Sequence, residues 1–308
     1  MVKKAKLAVI GSYAIGMTIT CDHFPVGGET VPGSNFQLMH GGKGSNQAVA
    51  ASRLGGEVLY GGCVGNDSFG DMCYRLYQEE NMDTACIRRS EKGLSTGVGL
   101  IYVDSGGENE IVIDLAANLE FSPADIDRMM PRIRECSLVL MQLEMETETV
   151  LHAARKCREA GISFVLNPAP YREIPEELLQ CCDYVTPNQT EGRLMLGAAS
   201  GDCISDEEVG RRLCEKGVRN VVMTLGSGGA LYVNGDGIRR IPGITVQAVD
   251  TTGAGDTFSA AFCVALAEGK STEEAIAFGN TAAGLAVTKY GVIESIPSRT
   301  AVENYRGR

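Results

Sequence analysis

The residues best suited to chemistry in this chain stand together in Asp250-Thr-Thr-Gly-Ala-Gly-Asp256-Thr-Phe. A strand-like stretch, Ile244 to Val249, precedes them. A helix of small and apolar residues, Phe258 to Ala267, follows, with Gly269 as its stop. A glycine turn that feeds a helix N-terminus makes an anion site, because the first N–H groups of a helix lack intrahelical partners and the dipole is positive there. Gly253 and Gly255 let a phosphate approach the main chain with no Cβ in the way. Asp256, in the first turn, would accept a hydrogen bond from an attacking hydroxyl while the N–H groups hold the transferring phosphoryl. Phosphoryl transfer asks for this positioning and charge stabilisation more than for covalent chemistry. The same pattern also suits an ordinary capped helix whose Asp favours the dipole.

A second glycine-rich segment, Gly41-Gly-Lys-Gly-Ser-Asn46-Gln-Ala, opens an Ala-rich helix that runs to Leu54 and Gly55. Its glycines allow close approach of a small polar ligand, and Lys43 and Asn46 offer hydrogen bonds. The spacing at Lys43 is not that of a Walker A loop, and Gly226-Ser-Gly-Gly229 lacks the last glycine of a dinucleotide fingerprint, since Leu231 stands there. Alone, the segment around Gly41 would pass for a tight turn.

These residues need elements to hold them. Short apolar runs alternate with amphipathic segments: Leu138 to Leu143, Ser163 to Leu166, Asp183 to Thr186 and Asn220 to Thr224 read as strands. Helix-like stretches stand at 146–160, 175–180 and 207–216. Such alternation predicts βαβ units and a mostly parallel sheet. Ligands of such sheets sit beyond the carboxyl ends of the strands. Here four successive strands end in polar groups: Gln142 and Glu144; Asn167; Asn188 and Glu191; Thr224, Gly226 and Ser227. Residues 13–39 and 95–114 are rich in Gly, Thr and Val in short alternating runs, with a hairpin about Ser105 to Glu108, and read as a small β-rich lid. The main α/β domain takes 1–12, 40–94 and 115–308.

The 308 residues carry a formal charge of −11, which argues against nucleic acid as a partner. The one basic cluster, Lys3, Lys4 and Lys6, reads as a solvated edge. No apolar stretch is long enough for a membrane span, and no leader-like segment stands at the start. Eleven cysteines without a Cys-x-x-Cys pair, and three histidines without ligand spacing, predict free thiols in a reducing cytoplasm rather than a metal or redox site.

Together, the segments around Lys43 and Asp256 resemble the paired signatures of the ribokinase-like (PfkB) carbohydrate kinases, nearest to its ribokinase branch. The likeness runs from Leu7-Ala-Val-Ile-Gly-Ser12 to Ser295-Ile-Pro297, through Met141 to Glu144, Asn167 to Pro170, Thr186 to Asn188, Thr224 to Ser227 and Val246 to Thr251. It implies a three-layer α/β sandwich with a β-rich lid, and ATP-dependent phosphorylation of a sugar hydroxyl. Asp256 would be the base and the Gly253, Ala254 and Gly255 amides the anion hole. Gly42, Lys43, Asn46 and Glu144 would hold the sugar. Asn188 and Glu191 would organise Mg²⁺ through water. Thr224, Gly226, Ser227 and Gly229 would line the ATP site, with Asn280 near the adenine. A K⁺ ion would take side-chain oxygens from Asp250 and Ser295 and carbonyls from Thr252, Ala286 and Gly291. Lids of this family often pair as homodimers.

The chain departs from the pattern in one place of consequence. The family's Asn and Asp after the first strand, the latter a clamp for two sugar hydroxyls, are Ala14 and Gly16 here. Losing a charged acceptor typically costs about 1.5–3 kcal/mol, so ribose is expected to be a poor substrate. His40 and Asp114 also differ and offer replacement contacts, Gln189 stands in place of a carboxylate, and Gly228 in place of a basic residue. A nucleoside kinase of the same superfamily would explain the lost clamp. A non-catalytic sugar-responsive protein would have no need to keep Asp256 beside its glycines.

Overall fold

A computed structural model describes residues 5–198 and 204–305. Lys3 and Lys4 lie outside them, and Lys6 pairs with Glu135. In chain order the elements are β1 (Lys6–Ile10), β2 (Ala14–Cys21), β3 (Gly33–Gly41), α1 (Lys43–Arg53), β4 (Glu57–Val64), α2 (Ser68–Glu79), β5 (Asp83–Arg89), β6 (Gly97–Val103) and β7 (Asn109–Asp114). Then come α3 (Pro123–Ile133), β8 (Leu138–Met141), α4 (Thr147–Ala160), β9 (Ser163–Leu166), α5 (Glu176–Cys181), β10 (Tyr184–Val185), α6 (Gln189–Met195) and α7 (Asp206–Glu215). The last are β11 (Asn220–Thr224), β12 (Ala230–Asn234), β13 (Gly237–Ile241), α8 (Ala254–Ala267), α9 (Thr272–Ala286) and α10 (Arg299–Asn304).

Nine strands form one sheet in the order β13-β12-β11-β10-β9-β8-β1-β4-β5. It is parallel throughout except for the antiparallel β12 and β13 at one edge. Successive side chains of a strand face opposite ways, and β8 shows it: Leu138 and Leu140 enter one core, Val139 and Met141 the other. The first core packs beneath α1, α2 and α8, with Val49, Leu76 and Phe258. The second packs beneath α3, α4, α5 and α7, with Ile126, Val150, Leu178 and Val209. The result is the expected three-layer sandwich. Because β8, β9, β10 and β11 are adjacent and parallel, their polar carboxyl ends share one edge.

α8 is the central helix. Almost every residue from Asp256 to Ala267 is buried, as its uniformly small and apolar sequence demands, and it packs on both α1 and α9. A second sheet, ordered β3-β2-β6-β7, forms the lid. β2 runs antiparallel to β3, with a bulge between Thr18 and Thr20, and parallel to β6. β6 and β7 form the expected hairpin.

One expected strand is absent. Residues Ile244 to Val249 pair with neither sheet. The edge of the main sheet is already taken by the β12–β13 hairpin, and the segment runs extended across α9, tied by a bond from Val249 N to Val287 O. All ten described cysteines are free thiols. Among the described residues no cluster of three or more His, Cys, Asp or Glu could hold a metal, and no helix is long and apolar enough to cross a membrane.

Candidate active site

The site is built on two helix N-termini that meet over the sheet edge. α8 begins at Gly253, whose φ of 75° is left-handed and whose absent Cβ would lie 2.6 Å from Val292 Cγ1. Only glycine suits both demands. α1 begins at Gly42, where a Cβ would lie 2.8 Å from Ser12 O and from Tyr13 Cα. These close fits bring Lys43, Asn46 and Gln47 of α1 against Asp256 of α8.

Asp256 is 6% exposed, and each of its oxygens has an amide partner. Asn46 Nδ2 donates to Oδ2 at 2.9 Å, and Gln47 Nε2 donates to Oδ1 at 2.9 Å. The carboxylate opens on a cavity of about 170 Å³ lined by Gly253, Gly255, Lys43, Asn188, Glu191 and Thr224. Gly253 and Gly255 of the α8 N-terminus share this space; Ala254, expected with them in the anion hole, lines the neighbouring cavity and donates its N–H to Thr251 O at 3.3 Å. Asp256 chiefly, with Glu144 and Glu191 adding and burial opposing, raises the Lys43 ammonium above its ordinary value, so it stays charged. Burial raises the Glu191 carboxyl, opposed by its bond from the Asn188 amide and by Lys43.

Glu144 Oε2 accepts from Lys43 N at 2.9 Å and from Ser12 Oγ, fixing the loop that carries Gly42. Asn188 and Glu191 form a reciprocal capping box at α6, each side chain accepting from the other's backbone N–H at 2.8 Å. Glu191 thereby commits one oxygen, Oε2, to the helix and leaves Oε1.

A larger cavity of about 380 Å³ adjoins the first, and the two share Thr224 and Gly255. The expected nucleotide-site residues Thr224, Gly226, Ser227, Gly229 and Asn280 all line it, and so does Ala254. Asn280 turns its amide N–H groups to Ile241 O and Pro242 O at 3.1 and 3.0 Å, holding the loop that roofs the cavity. Most of the remaining wall is apolar, with Ile244, Val246, Ala248, Phe258 and Val287, and Thr245 and Thr251 add hydroxyls to it. The misread strand is thus a wall of this cavity.

Of the residues expected around a monovalent cation, Asp250 meets Thr252 and Gly291 directly. Asp250 Oδ1 accepts from Thr252 N and Oγ1 at 2.9 and 2.7 Å, and Oδ2 from Gly291 N at 3.1 Å. Burial opposes these bonds, which prevail and hold the Asp250 carboxyl below its ordinary value. Asp250 N donates to Val287 O, beside Ala286, and Ser295 Oγ donates to Val292 O in the same loop.

Ala14 and Gly16 lie on β2, beside Gly41 and Met39 of β3. A Cβ at Gly16 would sit in ordinary van der Waals contact with Ile101 Cδ1 at 3.6 Å and Met39 O at 3.7 Å. The other divergent residues serve the framework. His40 Nδ1 pairs with Tyr13 Oη at 2.8 Å, Asp114 accepts from Ala116 N at 3.0 Å, and Gln189 donates to Asp206 at 2.7 Å. Gln47 went unmarked in the sequence reading: it touches the candidate base, yet only its place beside Asn46 hinted at it.

Comparison with known proteins agrees with this geometry. The profile described as "pfkB family carbohydrate kinase" matches residues 4–299. A ribokinase of Haemophilus influenzae is 40% identical over 293 residues, covering 95% of each chain. A deoxyribokinase of Salmonella typhi is 35% identical over 300 residues, covering 97% of this chain and 98% of that protein. The structure of Arabidopsis thaliana ribokinase complexed with ribose and ATP superposes with a TM-score of 0.89 at 30% identity, over 98% of both chains. The chain belongs to the pfkB family of carbohydrate kinases and is an ATP-dependent sugar kinase.

Proposed function

We propose that this kinase phosphorylates a primary hydroxyl of a small sugar other than ribose, with Asp256 as the base. The observation that carries this reading is the Asp256 carboxylate facing the Gly253–Gly255 turn across a cavity of about 170 Å³, with the Lys43 ammonium at its side. The hydroxyl donates its proton to Asp256 as its oxygen attacks. The Gly253 and Gly255 amides and Lys43 take up charge on the moving phosphoryl. Asn46 has a buried, unpartnered Oδ1, which suits a sugar hydroxyl. Gly42 and Glu144 complete that side.

ATP fits the adjoining cavity, its apolar wall against the base and its phosphates toward Gly255. The free oxygen of Glu191, with Asn188, suits Mg²⁺ bound through water; the ion would neutralise phosphate charge. Oxygens of Asp250, Thr252, Ala286, Gly291 and Ser295 would be the hard ligands for K⁺ behind the α8 N-terminus, with Asp250, Thr252 and Gly291 already linked by hydrogen bonds. Residues 13–39 and 95–114 act as the lid. Its exposed Phe36 and Leu38 on β3, and Ile111, Val112 and Ile113 on β7, the two edge strands, favour a homodimer, since unpaired sheet edges with exposed apolar residues invite pairing with a second copy. The free thiols fit a cytoplasmic setting.

Ala14 and Gly16 leave the lid strand without a side chain to bind a diol, which favours a deoxygenated or bulkier acceptor and disfavours D-ribose. A nucleoside acceptor, which would not need the small-sugar clamp, is the second reading. A panel of pentoses, hexoses, deoxysugars and nucleosides, read by ADP release in K⁺ and again in tetramethylammonium, tests both. We expect another acceptor to exceed D-ribose, and turnover to fall in the organic cation. A D-ribose kcat/KM above about 10⁴ M⁻¹s⁻¹, the low end for efficient enzymes, would contradict the reading.

A further inference from the structure

We infer that Gln47 is a positioning residue that fixes the plane of the Asp256 carboxylate, backed by Gln142 and Asn167. This rests on Asp256 being the base. A base must aim a lone pair at one hydroxyl, and a carboxylate at the start of a helix otherwise turns about its side-chain bonds. Here each oxygen is pinned by a different amide, leaving each a second lone-pair direction for the substrate.

The two pins are unlike. Asn46 is 8% exposed and borders the sugar side, with its own oxygen free. Gln47 is fully buried and every polar atom is used. Its Nε2 donates to Asp256 Oδ1 at 2.9 Å and to Asn167 Oδ1 at 3.0 Å, and its Oε1 accepts from Gln142 Nε2 at 2.5 Å. Those three bonds fix which way the amide points. Asn167 is fixed in turn, donating to Thr186 O at 2.9 Å, and Thr186 Oγ1 lies 3.0 Å from Ser259 Oγ on α8. The base is therefore held by a closed ring of buried polar contacts that runs from α1 through the ends of β9 and β10 and back to α8, with Gln142, just past β8, as a side branch on Gln47. The ring members are each partnered, and satisfied buried polar contacts confer rigidity; Gln142, off the ring, uses its Nε2 and leaves its buried Oε1 without a partner. A misplacement of the order of 1 Å can cost about 100-fold in rate. Gln47 itself reaches no open cavity, so its effect passes through Asp256.

The test is steady-state kinetics of full-length Gln47→Met and Gln142→Met beside Asp256→Asn. The acceptor is D-ribose or 2-deoxy-D-ribose, whichever the unaltered enzyme turns over faster. Gln47→Met keeps length and removes the donor; its kcat is expected to fall about 10- to 100-fold, with KM for ATP within about twofold. Gln142→Met acts one contact further from the base and is expected to lower kcat less, in the same pattern. It serves alone if Gln47→Met does not fold. A kcat within about twofold of the parent, or a KM for ATP that rises in step with the loss, overturns the inference. Asp256→Asn separates the two levels: its inactivity with an active Gln47→Met defeats only the positioning role, whereas an active Asp256→Asn defeats the base assignment itself.

Discussion

Lys43 shows how much of the site depends on single charges. Its ammonium stands beside three carboxylates, Asp256, Glu144 and Glu191, and their field, Asp256 foremost, keeps it protonated. A charged hydrogen bond to sugar or phosphate is worth about 1.5–3 kcal/mol. Lys43→Met is therefore expected to lower kcat/KM by about 10- to 150-fold, while Lys43→Arg, longer and forked, does not restore it. Steady-state assay of both variants checks this. The residues that carry charge or glycine strain were legible in the sequence, because Lys43, Asp256 and the glycines beside them have few other uses in such a pattern. Gln47 was not. Its partner lies 209 positions away, and an amide in a helix has no spacing that announces a buried contact.

The elements were legible where periodicity decides them and obscure where packing does. The strands β8, β9, β10 and β11 were read from apolar runs and now bring their polar ends to one edge. Ile244 to Val249 has the same apolar alternation, yet it pairs with nothing, because β12 and β13 had closed the sheet edge and α9 offered a surface instead. The connection from the lid back to the body shows a second feature outside sequence reach. There Glu120 accepts from Arg88 Nη1 at 2.7 Å, Ser90 Oγ at 2.5 Å and Glu91 N at 2.9 Å. Burial works against the Glu120 carboxylate, and these bonds outweigh it, lowering the carboxyl to about 2. A depressed carboxyl stabilises the fold above its unfolded pKa and loses that contribution as pH falls through the folded value. Glu120→Ala is expected to cost about 1.5–3 kcal/mol at pH 7, since Arg88 keeps its pairing with Asp125, and the gap to the parent should shrink between about pH 4.5 and 2. Urea unfolding at several pH values measures it, and a gap that stays constant contradicts the assignment.

At the scale of the molecule, a chain of net charge −11 binds a polyanion because local structure overrides the mean field. The N-terminus of α8, the Lys43 ammonium and an apolar slot act over a few ångströms, within the screening length that mutes the rest. The three-layer sheet supplies the rigid edge, and the lid supplies the variable wall where Ala14 and Gly16 stand. The central claim is that catalysis resides in Asp256 facing the Gly253–Gly255 turn. Its most direct test is Asp256→Asn, with turnover followed by ADP release and nucleotide affinity by calorimetry. The account predicts a fall in kcat of about 10²- to 10⁴-fold with ATP affinity within about threefold. A variant that keeps most of the parent's rate would contradict it.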